Sequence, residues 1–116
     1  MIDPTDFSFT AYFGLVHSVE RILNRIESGL ADPKSKVTLV FLNFSITVIW
    51  NDCRYFPNGS EVKKAASVLC LFISKCRKKL TTGEAKPTEG LKDEVLKFQE
   101  VLKAHEPQYT IPVVVL

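Results

Sequence analysis

This sequence lacks most of the features that announce an enzyme. Its five glycines are scattered, so no phosphate-cradling loop and no nucleophile elbow can be drawn. The two histidines, His17 and His105, have no metal-ligating partner at helical spacing beyond Glu20, three residues after His17. Carboxylates are spread along the chain rather than clustered. No catalytic residue, metal site, cofactor or small-molecule substrate is expected from this pattern.

Cysteine is also scarce. Cys53, Cys70 and Cys76 form no Cys-x-x-Cys pair, their number is odd, and the acidic first residues do not resemble a secretory leader. These features predict a reducing, cytoplasmic setting. The glycosylation-type triplets at Asn43 and Asn58 are read as chance matches on that account. Cys76 has Lys75, Arg77, Lys78 and Lys79 around it, which would favour a reactive thiolate, but its place on an apolar stripe favours a structural role. The most apolar stretch, residues 37–50, is interrupted by Asn43, Ser45 and two threonines. It falls short of the roughly 20 apolar residues a membrane span needs and reads as a buried element.

What is present is helical periodicity. Phe9, Tyr12, Val16, Val19, Leu23, Ile26 and Leu30 follow one another in alternating steps of three and four. That spacing predicts a long amphipathic helix over residues 4–29, started by Asp3-Pro4 and stopped by Gly29. The run is too short for a sustained coiled coil, and Leu15 and Ile22 widen its apolar face, so it reads as one wall of a bundle. Gly14 within it suits a close approach by a neighbour.

Asp32-Pro33 starts a second helix that reaches about residue 55, where Pro57-Asn58-Gly59 breaks it. Lys36, Asn43, Thr47, Asn51 and Arg54 fall within about 80° on its wheel. A narrow polar stripe on an apolar cylinder predicts a central helix. Ser60 caps a third helix over 61–80, whose core stripe runs through Val62, Ala65, Leu69, Phe72, Cys76 and Leu80. Residues 81–88 read as a mobile loop. Thr88 caps a fourth helix over 89–105, with Leu91, Val95, Phe98, Leu102 and His105 inward.

The expected fold is all-α: a single-domain four-helix bundle over residues 1–106, followed by an extended apolar tail or the start of a linker over 107–116. The alternative is an α+β fold in which residues 37–56 are strands, because Asn43, Ser45 and Thr47 alternate with apolar neighbours.

The charge is locally uneven. Residues 61–80 carry Lys63, Lys64, Lys75, Arg77, Lys78 and Lys79 against Glu61 alone, within a chain of net charge +2. Lys64, Lys75 and Lys78 lie within about 60° on the wheel, with Leu71 among them. That face is opposite the core stripe. Leu96 falls between Lys92, Lys103 and Glu100, and Phe13 stands off the stripe of the first helix. With the apolar second helix and the tail, these residues amount to more apolar surface than one small bundle buries.

The sequence therefore points to a non-enzymatic, intracellular interaction module, of adaptor or oligomerisation type. It would self-associate or bind a protein partner through Leu71, Leu96 and Phe13. The alternative is an RNA-binding protein that reads double-stranded RNA by shape with the basic face of the third helix. Binding to a membrane surface is the least favoured reading. No run of residues matches the motif of a named family.

Overall fold

The computed structural model describes residues 7–27 and 36–105, with side chains from residue 10 onward. Four helices make up 81% of the described residues, and no strand occurs among them. They are α1 (Phe7–Glu27), α2 (Lys36–Cys53), α3 (Glu61–Thr81) and α4 (Leu91–Ala104). The α+β alternative is thereby set aside. The Asp3-Pro4 and Asp32-Pro33 starts, the Gly29 stop and the tail over 107–116 lie outside the described residues.

The helices form a ring. α1 packs against α2 and α4, and α3 against the same two helices, whereas the Cα atoms of the diagonal pairs α1/α3 and α2/α4 stay more than 8 Å apart among the described residues. Arg21 lies over Phe44 and Arg25 over Phe41, so α1 and α2 run antiparallel. Ile46 faces Cys70 and Asn43 faces Arg77, which sets α3 antiparallel to α2. Gly90 meets Phe72, and further along Phe98 and Val101 meet Ala65 and Leu69, so α4 runs against α3. This is the up-down-up-down order that short connections favour.

The expected central position of α2 is therefore wrong. α2 is one of four equal walls and has an outer face. Its buried side holds Thr38, Phe41, Leu42, Ser45, Ile49 and Cys53. The β-branched and hydroxyl residues that suggested a strand are accommodated within the helix. Ser45 Oγ donates to the Phe41 carbonyl at 2.9 Å and Thr47 Oγ1 to the Asn43 carbonyl at 3.0 Å. These bonds back to the preceding turn remove the hydroxyls' competition with the helical backbone, and packing overrides propensity.

In α1 the most buried residues are Leu15, Val19 and Ile22, together with Ala11, Tyr12 and Ser18. Val16, Leu23 and Ile26 of the seven-residue repeat are only half-buried. The inward face is thus rotated by about 60° from the repeat towards α2. A wall of a ring must cover two neighbours, so its buried arc is wider than a coiled-coil seam. Gly14 lies on the α2 side, and a Cβ added there would come 2.9 Å from Asp52 Cγ. The glycine makes room for that carboxylate, as the expected close approach required.

α3 begins as the sequence indicates, with Ser60 Oγ accepting from the Lys63 amide at 3.3 Å. α4 does not. Its N-cap is Gly90, at φ 82°, and no side chain caps it. Thr88 instead accepts the Leu91 amide through its carbonyl. A side chain at position 90 would need this left-handed backbone and would meet Phe72 at 3.3 Å, so the turn favours glycine. Residues 82–90 form hydrogen-bonded turns around a buried Pro87. His105 is exposed rather than part of the core: it ends α4, where its Nδ1 lies 3.0 Å from the Val101 carbonyl.

Candidate functional site

The three apolar residues expected to face outward do so. Leu71 is 63% exposed, Phe13 42% and Leu96 37%. The bundle does not bring them together. Leu71 stands on the outer face of α3 and Phe13 on α1, the helix diagonally opposite. Phe13 borders an open groove of about 230 Å³ between α1 and α4, beside Val16, Glu20, Gln99 and Lys103. The charges near Leu96 are partly occupied with each other, since Lys103 pairs with Glu100 at 3.7 Å.

The basic patch is divided by its hydrogen bonds. Lys63 Nζ donates to Asn58 Oδ1 at 2.7 Å, and Lys64 pairs with Glu61 at 3.8 Å. Arg77 Nη1 donates to Asn43 Oδ1 at 2.8 Å and so belongs to the α2–α3 seam. Lys75, Lys78 and Lys79 make no side-chain hydrogen bond or ion pair among the described residues. Two of them, Lys75 and Lys78, flank Leu71.

The three cysteines are free thiols and all buried. Burial pushes the Cys70 thiol up to about 11, with neighbouring Cys53 adding to the rise. Burial also raises Cys76, and nearby Lys79 offsets this only in part. Cys76 is buried, as its place on the apolar stripe suggests, and desolvation outweighs the cations around it. Among the described residues no three Cys, His, Asp or Glu side chains gather to hold a metal ion, and no helix is long and apolar enough to cross a membrane.

No family model, no curated protein and no solved structure matches this chain.

A further group of exposed apolar residues, beyond those expected from the sequence, lies on α2. Val37 and Val40 are 63% and 66% exposed, Phe44 49% and Trp50 53%, all on the outside of α2. Val37, Val40, Phe44 and half-buried Val48 fall within about 80° on the wheel, along one edge of the polar stripe. The signal was present in the near-uniform apolarity of residues 37–50. Such apolarity fits a central helix and equally a helix with two apolar faces, one inward and one outward.

Arginines border this outer face. Arg21 lies 5.6 Å from the Phe44 ring centroid, Arg25 5.4 Å from Phe41 and Arg54 5.0 Å from Tyr55. Guanidinium groups over ring faces gain cation–π attraction, and Arg54 Nη2 also donates to Tyr55 Oη at 3.0 Å.

Proposed function

We propose that this chain is a non-enzymatic interaction module that works by self-association or by binding a protein partner through exposed apolar residues. The observation that carries this reading is the outer face of α2. Its exposed valines, Phe44 and Trp50 lie on one helix, whereas soluble monomers usually scatter such residues singly. Leu71, Leu96 and Phe13 are secondary contact points on other walls. The test compares the wild-type chain with Val40→Glu/Phe44→Glu, Leu71→Glu, Leu96→Glu and Phe13→Glu variants. Solution mass by light scattering and retention of binding proteins are read together. At least one variant is expected to lower the mass or abolish a retained partner while keeping its helical circular dichroism. A monomer that retains the same proteins in every variant would sink the reading.

A second reading, nucleic-acid binding through α3, is favoured by one specific observation. Lys75, Lys78 and Lys79 point three unpaired cations outward from a single helix, as a phosphate backbone requires.

A further inference from the structure

We propose that the outer face of α2 receives an acidic amphipathic helix from a partner protein. This deepens the interaction-module reading and rests on it. Val37, Val40, Phe44 and Val48 follow one another at steps of three, four and four residues. They make a ridge over about three turns, roughly 16 Å long, which suits the apolar stripe of another helix.

Charge selects the sign of that helix. The exposed residues of α2 include no carboxylate. Its one acid, Asp52, is half-buried and sits against Gly14 on the α1 side. Arg21 and Arg25 mark the α1 edge of the face, Arg54 its C-terminal end, and Arg77, bonded to Asn43, its α3 edge. Arg21, Arg54 and Arg77 have no carboxylate partner among the described residues. Across α2, α3 and the turn between them, residues 36–81, eight cations stand against Asp52 and Glu61 alone. Guanidinium forks at the rim of an apolar ridge match glutamates that flank an apolar stripe.

The same charges disfavour other occupants. A second copy docked face to face would set these arginines near their own duplicates. A nucleic acid would satisfy the arginines but leave Val37 and Val40 without an apolar partner.

The experiment uses the full chain and a displayed library of tryptophan-free helical peptides. Each peptide has a fixed leucine stripe, and its flanking positions vary among Glu, Gln and Lys. Trp50 is the only tryptophan; it lies across the Asn43–Thr47 stripe from the ridge, at the α3 edge, so its emission reports on a helix that spans the outer face. The free chain is expected to be monomeric with solvent-exposed Trp50 emission. Selection should enrich Glu over Lys at the flanks about tenfold, and the enriched peptides should shift Trp50 emission to the blue. An Arg21→Glu/Arg25→Glu variant should weaken those peptides about tenfold, equivalent to about 1.4 kcal/mol. Equal enrichment of Lys or Gln overturns the proposal. So does selection no better than on the Val40→Glu/Phe44→Glu variant. A monomer with buried Trp50 would mean that another part of the chain covers the face, and the proposal falls. A dimer with buried Trp50 would assign the face to a second copy; the proposal falls while the interaction-module reading stands. A single-stranded RNA that shifts Trp50 where the selected peptides do not would assign it to nucleic acid, with the same consequence for the proposal.

Discussion

The Tyr12 hydroxyl donates to the Leu102 carbonyl at 2.7 Å, across the buried contact between α1 and α4. These are the first and last helices of the ring, so this bond helps to close it. Leu102 lies in the last turn of α4, where carbonyls lose their helical partners. The His105 amide also reaches that carbonyl, at 3.2 Å. Tyr12→Phe therefore removes one bond without orphaning the acceptor. The expected loss is about 1 kcal/mol, the net value of a typical buried hydrogen bond. A lower urea midpoint with unchanged slope would show it.

Gly14 and Asp52 should behave as a coupled pair. Gly→Ala inside a helix ordinarily gains up to about 1 kcal/mol. Here the new methyl group would crowd the Asp52 carboxyl, which must swing away. Gly14→Ala is expected to destabilise the wild type and to stabilise an Asp52→Ala background. The double-mutant cycle reads the coupling directly. Burial also raises the Asp52 pKa above 3.8. For a carboxyl raised in the folded state, the favourable contribution is complete below the unfolded value and fades as pH climbs through the folded value. Asp52→Asn mimics the protonated group. Its stability advantage over wild type should thus be small in acid, emerge as pH rises past about 4, and be largest at neutral pH. An advantage independent of pH would remove this account.

Buried thiols make a separate prediction. With Cys70 near 11, the thiolate fraction at pH 8 is about one in a thousand, even before access is considered. The native chain should react slowly with a disulfide reagent at all three cysteines. The rate should rise with urea in step with loss of helicity. Fast stoichiometric labelling of Cys76 in the native chain would reinstate it as a reactive site.

The parts of the fold legible in the sequence were those set by local chemistry. Ser60 before an apolar run is a cap wherever the chain goes next, and the Leu71 side of α3 is outward because Leu69, Ile73 and Cys76 fix the inward side. Decisions between helices were less legible. The inward arc of α1 depended on sharing a boundary with α2, which moved burial from Val16 and Leu23 to Leu15 and Ile22. Thr88 has the chemistry of a cap, yet Gly90 took the role because its left-handed turn lets Phe72 come close. The outer face of α2 was hidden because hydropathy records how much of a helix is apolar and not how many neighbours it has. Arg21 and Phe44 are far apart in the chain, so the arginine border appears only once the helices are paired.

The lysines of α3 separate the two functional readings. If α3 tracks a phosphate backbone, Lys75, Lys78 and Lys79 each neutralise up to one phosphate. Affinity would then fall with salt at a log–log slope of about −2 to −3. Reversing all three to Glu should abolish binding to any RNA at moderate salt. The helix itself should survive, because these side chains are outside the core, although Lys78 in the last turn adds a small favourable interaction with the helix dipole. Stability should fall by no more than about 1 kcal/mol. RNA affinity that persists in the reversed variant would rule out the α3 face as its site. Affinity lost together with the salt slope, in a variant that still binds acidic peptides through α2, would show two independent surfaces on opposite edges of the α2–α3 pair.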